Sequence, residues 1–196
     1  LRTTRYRDGS DIISGLDADA WENTNQGAFG IYPHDAVEGI GSDDEMAEAY
    51  GLLYNWHAVN DERGLCPVGW RVPNLTDVTE MVNYLIENDE EISNLNVGNY
   101  LKSCRQAGSP LGGDCDVTAH PRWNEWNLQY GNNLTGFSAL PAGNKSPTGS
   151  YSLLGLRFYF WTATENPDPD NENQAHVSWL QLYSGGMAGF FTNKNS

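Results

Sequence analysis

The sequence predicts an α+β fold made of short strands, few helices and long loops. Three observations lead there. Residues 74–86 carry a strong helical period. Several short runs rich in aromatic and β-branched residues are bounded by Gly, Pro and Asn, the pattern of strands. Long stretches such as residues 116–135 have no period at all, and loops of that length are either functional or pinned by specific contacts. With 196 residues, the chain is long enough to bury a core without staples. No internal repeat or low-complexity linker divides it, so residues 1–196 are expected to form a single domain.

The helical segment begins at Asn74 or Thr76, either of which can cap its N-terminus. Glu80 is expected to complete a capping box with Thr76 or Asp77. Val78, Met81, Val82 and Leu85 then recur on one face. Residues 97–103, anchored by Leu101, form a second helix candidate, and residues 17–22 and 43–49 suggest single turns. Strands are expected at residues 29–32, 52–59, 137–140 (stopped by Pro141-Ala-Gly143), 158–164, 176–183 and 189–192. The stretch 65–73 reads as another short strand before the helix. Along 176–183, Val177 and Trp179 alternate with Ser178, Leu180 and Leu182, so that strand is expected to be two-faced and central.

Composition excludes some functions. The formal net charge is -15, which repels phosphate backbones and argues against nucleic acid as a partner. No apolar run approaches the roughly 18 residues of a membrane-spanning helix. The chain begins at Leu1 rather than Met. It is expected to be a processed or trimmed product, so a missing leader does not count against export. Of the three cysteines, Cys104 and Cys115 bracket a polar loop containing Gly108, Pro110, Gly112 and Gly113. That composition suits a disulfide, which would contribute roughly 2–3 kcal/mol through loop closure. Cys66 is left over, either as a buried thiol or as half of a pair whose partner is missing.

The ordered motifs Gly51-Leu-Leu-Tyr-Asn-Trp56, Cys66-Pro-Val-Gly-Trp-Arg-Val-Pro73, Gly136-Phe-Ser-Ala-Leu-Pro-Ala-Gly143 and Phe160-Trp-Thr-Ala-Thr-Glu165 follow an opening Leu1-Arg-Thr-Thr-Arg-Tyr-Arg-Asp-Gly9. In that order they resemble the Fibrobacter succinogenes major paralogous domain, over nearly the whole chain. The stretch Leu101 to Cys115, with His120-Pro-Arg-Trp-Asn124, resembles one branch of it. The resemblance implies an exported bacterial protein at the cell surface. It also implies a C-type-lectin-like fold of the formylglycine-generating-enzyme kind: a small twisted antiparallel sheet, two helices and long loops. Trp70-Arg-Val-Pro73 would lead into its helix. Two strands usual in that family, one before Leu1 and one at the C-terminus, have no counterpart here. A cysteine of the second would be the partner that Cys66 lacks.

The resemblance does not extend to oxidase chemistry, because the catalytic cysteine pair has no match. His34, His57, His120 and His176 are scattered, no nucleophile elbow occurs, and His57 in an aromatic strand is expected to be a core residue. No catalytic residue is assigned. The loop Glu165-Asn-Pro-Asp-Pro-Asp-Asn-Glu-Asn173 holds four carboxylates and three amides in nine positions, a density of hard oxygen ligands that suits calcium. Glu165, Asp168, Asp170 and Glu172 are its candidate ligands, and a solvated acidic loop is the alternative. For a glycan surface the candidates are Trp126, Tyr130, Asn132, Asn133 and Tyr183. Of the neighbouring pair Trp123 and Trp126, Trp126 lies outside the family-like motif and is the freer. About one exposed tryptophan is expected, since most aromatics of such a domain fill its core. The expected function is therefore binding or adhesion at a surface ligand, glycan or protein. The alternatives are a subunit of a self-assembling surface structure, or a sequence-diversified receptor-binding domain.

Overall fold

The computed structural model describes residues 1–181 and 183–196. Its helices are α1 (Ala18–Asn23), α2 (Asp43–Tyr50), α3 (Trp56–Val59), α4 (Leu75–Asn88) and α5 (Val97–Leu101). Its strands are β1 (Phe29–Gly30), β2 (Leu53–Tyr54), β3 (Ala142–Lys145), β4 (Tyr151–Leu154), β5 (Arg157–Glu165), β6 (Gln174–Gln181) and β7 (Met187–Asn193). The fold is α+β. A five-stranded sheet in the order β4-β3-β5-β6-β7 carries the core, and β1 and β2 form a separate two-stranded ladder. The sheet is mixed rather than purely antiparallel, because β3 runs parallel to β5 through Gly143 and Phe158.

Local chemistry explains most of the elements. Asn74 caps α4 and makes a capping box with Asp77, not with Glu80. Arg71 clamps the same Asp77 carboxylate, which is held down to about 2 chiefly by that bond. Ser42 caps α2 and Asp17 caps α1. The strand expected over residues 52–59 is cut to β2. Asn55 ends it by accepting from the Ala58 amide and starting α3, and it also accepts from the Ala28 amide. A side chain that satisfies helix donors in this way competes with a ladder.

Residues 65–73 form turns instead of a strand. Pro67 and Pro73 offer no amide hydrogen, and Gly69 sits at φ +87°. The strand expected at 137–140 is likewise reduced to a bridge between Ala139 and Lys102. Ser138 is in the left-handed region at φ 58°, and the ladder resumes only after Pro141. β4 has no clear signal in the sequence; it exists because the Ser146–Ser150 turn folds it back on β3.

β6 lies between β5 and β7, with Val177 and Trp179 facing opposite to Ser178 and Leu180. Leu182 lies outside the described residues. The row Phe158–Leu180–Met187 joins Trp123, Tyr100, Leu101 and the apolar stripe of α4 in one core. On the opposite face, Trp161 donates to the Tyr54 carbonyl at 2.9 Å. There β1, β2, α2 and α3 form a layer around Tyr6, Ile12, Phe29, Leu52 and Leu65. Cys104 and Cys115 are disulfide-bonded, with Cα atoms 4.9 Å apart. Cys66 is a half-buried free thiol, and burial pushes it up.

Candidate functional site

An open cavity of about 430 Å³ lies between the N-terminal layer and the sheet. Tyr50, Tyr54, Tyr159, Trp161 and Phe190 give its wall aromatic faces, set among leucines and valines. No Asp or Glu side chain lines it among the described residues, although the chain has 26 acidic residues against 11 basic ones. Most of its polar groups already have partners within the protein. The Tyr54 hydroxyl donates to the Thr3 carbonyl at 2.7 Å, and Asn144 Oδ1 accepts from Ser152 at 2.9 Å. Thr192 and Ser196 share a hydroxyl bond of 3.1 Å. Burial raises the Tyr54 phenol, so it stays neutral.

Lys145 is the cationic side chain in this wall. It is only 5% exposed. Its ammonium lies 3.9 Å from the centre of the Trp21 ring and 5.2 Å from that of Tyr151. Gly30 leaves room for this cluster: a Cβ there would meet the Tyr151 hydroxyl at 2.5 Å and Lys145 Cδ at 3.1 Å. The chain's other lysines also sit over tryptophans, Lys194 over Trp56 at 4.5 Å and Lys102 over Trp123 at 5.5 Å. Cation–π attraction of this kind contributes roughly 0.5–2 kcal/mol. Lys194 additionally pairs with Glu165 at 2.7 Å. Lys102 donates to the carbonyls of Gln181 and Ser184 at 3.2 Å each.

The residues expected from sequence occupy other places. Trp126 and Tyr183 meet edge to face, with ring centres 4.7 Å apart. Tyr183 is 55% exposed, whereas Trp126, Tyr130, Asn132 and Asn133 are half-buried. The loop around them is pinned: the Asn132 amide donates to the Asn99 carbonyl and the Asn133 amide to the Lys102 carbonyl. Trp123 is fully buried and donates to the Ala139 carbonyl. The openly exposed tryptophan is Trp70, at 74%, in the turn ahead of α4. His57 is half-buried on α3 rather than in a strand.

Two carboxylates of the acidic loop already have partners. Glu165 pairs with Lys194, and Asp168 accepts from the Asp170 amide and from Asn171. All four candidate calcium ligands are exposed. Among the described residues, no three His, Cys, Asp or Glu side chains are gathered so as to hold a metal ion. No helix of the described residues is long and apolar enough to cross a membrane.

Nothing in the spacing of Ala142-Gly-Asn-Lys145 announces a cavity, and the reading from sequence missed it. The one available signal is rarity: Lys145 is one of only three lysines.

An α+β fold with a disulfide and an open, largely apolar cavity is the class of protein that these features define. Residues 1–190 match the Fibrobacter succinogenes major domain, and the chain belongs to that family. Comparison with curated proteins and with solved structures found no match.

Proposed function

We propose that this chain is a non-catalytic binding module of an exported bacterial surface protein, with its ligand seated in the aromatic cavity. One observation carries the reading: a strongly acidic chain keeps this cavity free of acidic side chains and lines it with aromatic and aliphatic groups. Concave, mostly apolar sites with a few polar groups are the usual form of small-ligand sites. The C-type-lectin-like arrangement belongs to the same proposal. It is supported by the Trp70–Pro73 turn leading into α4, which packs against the sheet. Sugar hydroxyls would find few free partners in this cavity, so a glycan would have to use the surface around Tyr183. A glycan array run in calcium and again in EDTA tests that version; calcium-dependent binding lost on Tyr183→Ala would support it. For the cavity itself, the indole N–H signal of Trp161 should move when a small-molecule library contains a binder. Hits that move Trp70 or Tyr183 and leave Trp161 still would overturn the assignment.

A second reading, self-assembly, draws on one specific feature. β7 stands at the edge of the sheet, carries no charged residue or proline, and exposes Phe190. Such an edge is a template for strand addition. Sedimentation analysis would detect it: a dimer abolished by Phe190→Lys supports this reading, and a monomer at high concentration removes it.

A further inference from the structure

We infer that the cavity takes a small amphiphile, an apolar or aromatic body bearing one anionic group, and that Lys145 receives the anion. The inference rests on the cavity being the ligand site. Buried ammonium groups are ordinarily paired, and the chain's other two lysines obey that rule. Lys102 has two carbonyl acceptors and Lys194 has Glu165. Lys145 as a whole is buried to 5% exposure, its ammonium keeps contact with solvent, and it makes no side-chain hydrogen bond or ion pair with any described residue. Burial lowers its ammonium below the usual lysine range, and no carboxylate stands close enough to raise it again. The Trp21 and Tyr151 rings attract the charge through their faces, but a ring face accepts no directed N–H bond as an oxygen does. Lys145 lines the cavity, and its donors have no acceptor among the described residues.

An entering anion would meet no acidic side chain in that wall. The rest of the lining sets the body of the ligand. Tyr54, Thr192 and Asn144 are already engaged, so contacts away from Lys145 are made with rings and aliphatic groups. A cavity of about 430 Å³ falls within the range of small-molecule sites and suits a ligand of two or three rings better than a polymer.

Two fluorescent probes test this directly. 1-Anilinonaphthalene-8-sulfonate and N-phenyl-1-naphthylamine share one apolar body and differ by a sulfonate. Both should bind, the sulfonate about tenfold more tightly, as one charge-assisted bond implies. Lys145→Met should abolish that preference and leave the uncharged probe within about twofold, and Lys145→Arg should keep it. Equal affinities in the native protein, or a preference that survives Lys145→Met, would overturn the inference. Should neither probe bind, the cavity itself fails as a ligand site, which is a separate result. If Lys145→Met does not fold, the native protein still decides. With three lysines, each εCH₂ signal can be assigned, and the sulfonate should shift that of Lys145 while the uncharged probe does not. A shift at Lys102 or Lys194 instead, or none, would sink it.

Discussion

Lys102 and Lys145 occupy similar settings and do opposite things. Each is almost fully buried, and each lies over a tryptophan. On the helical side of the sheet, Lys102 ties α5 to the end of β6 through the Gln181 and Ser184 carbonyls, in a region packed shut around Trp123 and Leu180. On the other side, Lys145 rests on the faces of Trp21 and Tyr151 without a hydrogen-bond acceptor and borders an open cavity. A buried charge with acceptors is structural; one without them is available.

Truncation should separate the two lysines. Lys102→Ala leaves two carbonyls unpaired and a void in the core, and should cost roughly 3–5 kcal/mol in urea denaturation. The contrast extends to pH. Burial pushes Lys102 down to about 8, below the ordinary value near 10.4. Between those values the unfolded chain binds more protons, so stability should rise with pH from about 8. The gain should approach about 3 kcal/mol before the tyrosines intervene. Tyr6, pushed up to about 12, and Tyr54, also raised by burial, favour the folded state only while protonated, so stability should fall above about pH 10. Denaturation of Lys102→Met across this range should show only a smaller rise, the part owed to Lys145; a rise of undiminished size would assign it elsewhere.

Gly30→Ala attacks the other region. Its Cβ would press on Tyr151 and Lys145, and overpacking of this kind costs about 1–3 kcal/mol. It should also disturb probe binding in the cavity while leaving the Trp123 core intact by near-ultraviolet circular dichroism. Lys145→Ala should cost only about 1 kcal/mol, the cation–π attraction it gives up. A loss as large as that of Lys102→Ala would erase the distinction. Smallest of all, Tyr183→Ala at an exposed position gives up only its edge-to-face contact with Trp126 and should cost about 0.5 kcal/mol.

What the sequence revealed depended on whether the cause was local. The start and face of α4 are written in consecutive residues, as are the aromatic run of β5 and the glycine-rich loop closed by Cys104 and Cys115. Asn55 is different. Its side chain turns a strand into α3 while holding Ala28, 27 positions away, and nothing near it in the chain says so. The acidic loop misleads for the same reason: carboxylate density gives no direction, and Glu165 is claimed by Lys194, 29 positions on. Trp126 is the freer of the neighbouring pair, as its place outside the family-like motif suggests, but the openly exposed tryptophan is Trp70, in the most recognisable motif. The cavity itself comes from far-separated segments, and no local pattern encodes it.

The placement of every lysine over a tryptophan also decides how this protein meets other reagents. Lys102, Lys145 and the Lys194 side chain are 1%, 5% and 14% exposed, so the folded chain offers essentially no side-chain amine. A lysine-specific protease therefore waits on unfolding, and its cleavage rate reads the population of opened molecules. An arginine-specific protease meets targets such as Arg5 and Arg71 on the surface and reads local mobility instead. The same chain thus carries two clocks, one set by the core and one by its loops.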